Sequence, residues 1–159
     1  VGLIAHSAAS LDPRYERITV APVTATITDN DTAGIFVDPI SLSVAEGGAT
    51  ASYSVRLTSQ PTGPVQIGLA PGGELSVSPA SLSFTTANWG VAQTVTVTAV
   101  DDAVDEDGDN NMTPHAGRIT HSVTSSDPSF AALAISPVTA TIADNDSAGV
   151  IIAPLALSL

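Results

Sequence analysis

Apolar and polar residues alternate along most of this chain with a period of two. In ASYSVRLT (51–58), Tyr53, Val55 and Leu57 share one face while Ser52, Ser54 and Arg56 take the other. PVQIGLA (64–70), ELSVS (74–78), SLSFT (81–85), TVTVTAV (94–100), RITHSVT (118–124) and VTATIAD (138–144) repeat the pattern. No segment carries a sustained 3.6-residue apolar spacing, and Thr, Val, Ser and Ile dominate. Period-two alternation in such residues predicts half-buried strands. The runs fall at 35–45, 50–58, 64–70, 74–85, 92–100, 117–124 and 136–143. Pro39 and Pro79 interrupt the first and fourth, because proline has no N–H to give a ladder. Short alternating runs separated by turn residues predict an all-β fold, an antiparallel immunoglobulin-like β-sandwich of about seven strands.

The pattern also repeats on a larger scale. TITDNDTAGIFVDPISLSV (26–44) aligns with TIADNDSAGVIIAPLALSL (141–159), and IAHSAASLDPRY (4–15) aligns with ITHSVTSSDPSF (119–130). His6 and His121, Asp12 and Asp127, Val23 and Val138, and Asp29 and Asp144 are each 115 positions apart, without a gap. A fixed offset of domain size predicts tandem domains rather than a solenoid. Residues 1–33 read as the last strands of one copy, 34–148 as a complete copy, and 149–159 as the first strand of a third. On this reading the chain is a slice of a longer array, since a lone hairpin is marginal in water.

Charge narrows the partners. The formal net charge is −12, with four Arg and no Lys. Nucleic acid and anionic membranes both call for basic patches, so neither is expected as a partner. The apolar stretch VIIAPLALSL is too short to cross a bilayer. With no Cys, no disulfide staples the fold, and a small extracellular domain then needs another source of stability.

Strand alternation brings certain acidic residues together. In an up-and-down sandwich the turn after 35–45, the loop after 92–100 and the end of 136–143 lie at one pole. These carry Glu46; Asp101, Asp102, Asp105, Glu106, Asp107 and Asp109; and Asp144 and Asp146. Two carboxylates about 4 Å apart repel by roughly 4 kcal/mol at an effective dielectric near 20. Protons or cations must offset so dense a cluster. Oxygen donors suit a hard divalent ion, and Ca²⁺ takes six to eight of them in flexible geometry. No Cys and no paired-His motif favours zinc. The loop lacks the spacing of an EF-hand. For Asp105, Asp107 and Asp109, a solvated face is as good a reading as ligation.

The segments V-A-E-G-G (44–48), D-D-x-x-x-E (101–106) and D-N-D (144–146) resemble the pattern of a Calx-beta domain repeat, as found in large bacterial surface proteins of the adhesin type. The resemblance spans 34–148. It implies Ca²⁺ ligation by Glu46, Asp101, Asp102, Glu106, Asp144 and Asp146 at the pole facing the next copy. Asp29 and Asp31 would serve the preceding copy in the same way. Where the family often has an acidic residue followed by Tyr, this chain has APGGELSVSP, with Glu74 as a poorly placed candidate; one or two ions are expected.

Other residues point less far. His121 and Ser122 are neighbours on a strand and so face opposite ways, which sets aside a hydrolase pair; no enzyme activity is expected. His121 alternates with Ile119 and Val123 and reads as a partly buried structural residue, and Trp89 as a cap on one end of the sandwich. The expected function is structural: a calcium-stiffened extracellular stalk or fibre segment at a bacterial cell surface, with neighbouring copies of the repeat as partners. A self-assembling filament with other chains, and a module recognising a surface glycan or protein, are the alternatives.

Overall fold

The computed structural model describes residues 1–106 and 114–150. The chain divides into two compact units, Val1–Asp31 and Thr32–Leu159. In the first, β1 (Gly2–Ile4) pairs antiparallel with β2 (Val23–Ala25) in the register Gly2↔Ala25, Leu3↔Thr24, Ile4↔Val23.

The second unit is a sandwich of two sheets. Its strands are β3 (Ile35–Asp38), β4 (Ser41–Ala45), β5 (Ala51–Leu57), β6 (Val65–Pro71), β7 (Leu75–Ser78), β8 (Ser81–Phe84), β9 (Gln93–Ala99), β10 (His115–Ser125) and β11 (Val138–Ala143). One sheet has the order β4-β11-β10-β6-β8 and the other β3-β5-β9-β7. Among the described residues nine strands stand where seven runs are expected, because the two proline-broken runs change sheet. β3 and β4 part at Pro39, and β7 and β8 part at Pro79, each half joining a different sheet. Proline cannot continue a ladder, so the chain turns the corner there.

The sandwich is not wholly antiparallel. β4 pairs parallel to β11, from Thr139↔Ser41 to Ala143↔Ala45. Having crossed sheets at Pro39, β4 runs in the same direction as β11 and lies along its free edge. This corrects the antiparallel expectation, and it levels the ends of two strands at one pole.

The inner faces supply the core. Tyr53, Val55 and Leu57 meet Val65 and Ile67, Phe84, Val95 and Val97, Ile119, Val138 and Ile142, all buried. Full burial of such a side chain is worth about 1.5–3 kcal/mol. Trp89 packs against this cluster, and its carbonyl accepts a hydrogen bond from the Leu57 N–H. His121 Nε2 lies 3.0 Å from the Tyr53 hydroxyl, with the rings edge to face. Burial pushes the Tyr53 phenol up to about 12 and holds His121 below its ordinary value. Both shifts favour the neutral forms of this partly buried pair.

α1 (Pro128–Ala131) closes the connection between β10 and β11. Asp127 caps it, accepting from the Ser129 N–H, and also accepts from the Thr62 N–H at 2.8 Å. The cap seats Phe130 in the core.

The first unit repeats registers and turn bonds of this segment. Adding 115 to each β1–β2 pair gives Gly117↔Ala140, Arg118↔Thr139 and Ile119↔Val138, all present between β10 and β11. The Asp12 carbonyl accepts from the Tyr15 and Glu16 N–H groups, as that of Asp127 does from Phe130 and Ala131. Ser10 Oγ meets the Asp12 N–H as Ser125 Oγ meets that of Asp127. Burial does not follow: Ile4 is 55 % exposed and Tyr15 58 %, against 0 % for Ile119 and 1 % for Phe130. No helix among the described residues is long and apolar enough to cross a membrane.

Candidate metal centre

The acidic pole is built by carrying strand alternation one step past the strand ends. In β4 the inward side chains are Leu42 and Val44, and the next residue in phase is Glu46. In β11 they are Val138, Ala140 and Ile142, and the next in phase is Asp144. Both carboxylates therefore fall on the core side, and they remain 4 % and 6 % exposed. The parallel pairing sets them side by side, and the Glu46 N–H donates to the Ala143 carbonyl at 3.1 Å.

Neither Glu46 oxygen has a hydrogen-bond partner. Asp144 Oδ1 accepts from the Asp146 N–H at 2.7 Å, while Asp144 Oδ2, Asp146 Oδ2 and Glu106 Oε2 are buried without one. A buried carboxylate oxygen lacking a donor is costly unless a proton or cation meets it. Desolvation raises the pKa of Glu46, with Glu106 and Asp144 adding to it. Desolvation likewise raises Glu106 and Asp146, with neighbouring carboxylates contributing to both. The ion pairs among the described residues, Arg14–Asp12 and Arg17–Glu16, involve none of the carboxylates at this pole.

Three sets of potential ligands have one donor atom each within 4.8 Å of the others: Glu46, Asp144 and Asp146; Glu74, Asp102 and Glu106; and Glu46, Glu106 and His115. The structure thus brings together five of the six expected ligands. Asp101 lies at the same pole but in none of these sets; its Oδ1 accepts from Asn145 Nδ2 at 3.1 Å. Gly47 makes room for it: its φ is 57°, and a side chain there would bring its Cβ within 3.3 Å of Asp101 Oδ1. Asp102 Oδ1 accepts from the Val104 N–H, and Asp105 Oδ2 from the Ala148 N–H, which folds the D-N-D tail over the loop. Asp29 and Asp31 form the same local turn as Asp144 and Asp146, since Asp29 Oδ1 accepts from the Asp31 N–H, but they are exposed. Asp107 and Asp109 lie outside the described residues.

One member, His115, escaped the sequence reading, and another, Glu74, stood in it only as a poorly placed candidate. A Glu74 carboxylate oxygen lies within 4.8 Å of donor atoms of Asp102 and Glu106, and the Glu74 carbonyl accepts from the Val100 N–H at the end of β9. The same alternation of poles that gathers the other acids puts the β6–β7 turn there too. His115 begins β10 in phase with Gly117 and Ile119, so it also faces inward. Counting back by two from Ile119 would have found it.

The donor set is rich in oxygen and poor in sulfur and nitrogen, which fits Ca²⁺. Fold and site together define an immunoglobulin-like β-sandwich with a carboxylate-lined pole. No family model and no curated protein matches the chain. Among solved structures it is similar to the apo form of the Calx CBD1 domain, with 20% identity over 73% of this chain and 100% of that one, at a TM-score of 0.50. It is also similar to the periplasmic chaperone SfaE, with 11% identity over 76% of this chain and a TM-score of 0.50; the chain spans 60% of SfaE's length. At these identities the likeness is one of fold.

Proposed function

We propose that the acidic pole binds Ca²⁺, as one or two ions, through Glu46, Asp102, Glu106, Asp144 and Asp146, with Asp101 and Glu74 within reach. The observation that carries this reading is the buried Glu46 carboxylate with no donor to either oxygen. An ion there would tie together the ends of β4, β9 and β11 and offset the repulsion among their carboxylates. Ca²⁺ in extracellular modules binds at about 10⁻⁴–10⁻³ M. A hundredfold excess over Kd adds about 2.7 kcal/mol of stability, a contribution suited to a domain without disulfides.

The chain is on this reading a piece of a tandem array: 1–33 ends one copy, 34–148 is a full copy, and 149–159 opens the next. The matching registers at an offset of 115 support it. Each copy adds roughly 30 Å, or nine residues of strand at 3.3 Å each. The array serves as a stiff extracellular stalk of a large bacterial surface protein and has no catalytic role. A second reading, side-by-side assembly into a filament, draws on the exposed apolar residues Ile4, Val23 and Ile27 of the first unit.

A thermal melt in chelator and in millimolar Ca²⁺ tests the proposal. The expected gain is roughly 10 °C at a hundredfold excess over Kd; identical curves would remove it.

A further inference from the structure

The calcium reading rests on oxygen donors and leaves His115 unused. His115 starts β10 on its inward phase, and both ring nitrogens are buried without a hydrogen-bond partner. A neutral imidazole has one N–H to donate and one lone pair to place. One of its nitrogens lies within 4.8 Å of an oxygen of Glu46 and an oxygen of Glu106, and those two lie within the same distance of each other. Glu46 is 4 % exposed and neither of its oxygens has a partner; Glu106 Oε2 lacks one as well.

We infer that Glu46, Glu106 and His115 form a mixed nitrogen and oxygen site for a divalent transition ion of the Zn²⁺ class. It is separate from the all-oxygen group of Glu46, Asp144 and Asp146 and shares Glu46 with it. Imidazole suits Zn²⁺ and its first-row neighbours, whereas Ca²⁺ prefers oxygen throughout. Three protein ligands leave a further position for water, as in open zinc sites. The absence of Cys does not weigh against the site, since a carboxylate and imidazole set is a sufficient zinc donor group. Because Glu46 belongs to both groups, occupancy by one ion changes the affinity for the other.

The test is a Zn²⁺ titration of the metal-stripped full chain, followed by calorimetry and by the ring resonances of His6, His115 and His121. His115→Gln and Glu106→Gln are titrated beside it with Zn²⁺ and with Ca²⁺. The expected result is a saturable shift of the His115 ring alone. His115→Gln should weaken Zn²⁺ by at least about tenfold and leave Ca²⁺ affinity nearly unchanged. Glu106→Gln should weaken Zn²⁺ while the His121 resonance and the melt report an intact fold. An unmoved His115 ring, or wild-type Zn²⁺ affinity in His115→Gln, would overturn the inference. Equal loss of both ions in His115→Gln would overturn it too, since the imidazole would then only support the fold. Zn²⁺ binding through His115 without any Ca²⁺ binding would sink the calcium proposal and leave this one standing.

Discussion

Glu46 is where burial and charge conflict most sharply. Desolvation raises its pKa from the ordinary 4.5, so between that value and the raised one the metal-free folded state binds the proton more tightly than the unfolded chain does. That contribution to stability is fully present below about pH 4.5 and is lost as pH rises through the raised folded value. Asp127 has the opposite sign: the Thr62 and Ser129 N–H groups lower its pKa, so its contribution is lost as pH falls through that lower value. In chelator, Glu46→Gln should melt higher than wild type at neutral pH and show a flatter pH dependence between pH 4.5 and 7. In Ca²⁺ the order should reverse, because Gln is a poorer ligand for the ion. A variant that melts below wild type in both conditions would mean that the Glu46 carboxylate is satisfied without metal. The residue itself stood out in the sequence as the Glu of V-A-E-G-G, but its burial came only from the phase it shares with Leu42 and Val44.

Strand positions were legible almost throughout, because a period of two shows in the chain wherever one face is buried. What the pattern could not carry was partnership. Alternation in 41–45 reads the same whether the strand lies antiparallel or parallel, and only pairing with β11 shows that Glu46 and Asp144 finish level. Glu74 stood in the sequence only as a poorly placed candidate, since one strand does not show its neighbours across the pole, and His115 was missed because it lies two residues outside the run 117–124. The α1 turn hid in a loop, since four residues are too few for a helical period. Its cap gives a prediction at this scale. Asp127→Ala removes the acceptor for Ser129 and Thr62 and should lower the melting temperature by about 5 °C, with Ca²⁺ affinity unchanged because the cap lies at the opposite pole. Loss of calcium binding in that variant would show that the two poles are coupled.

Across the whole chain, the two units carry one pattern with different burial. The hairpin of the first unit keeps the registers and turn bonds of β10 and β11, yet shows Ile4, Val23 and Tyr15 to solvent where Ile119, Val138 and Phe130 are buried. Local hydrogen bonding is thus set by the repeated sequence itself, whereas burial depends on a second sheet. In the second unit the two sheets converge on a pole where carboxylates outnumber their donors, and calcium is the proposed remedy. The most direct measurement is calcium titration calorimetry on the metal-stripped full chain, with Asp144→Asn alongside. The expected result is saturable binding at about 10⁻⁴–10⁻³ M or tighter, strongly weakened in the variant. A flat titration through the millimolar range, or a variant indistinguishable from wild type, would contradict it and leave the pole as a solvated acidic face.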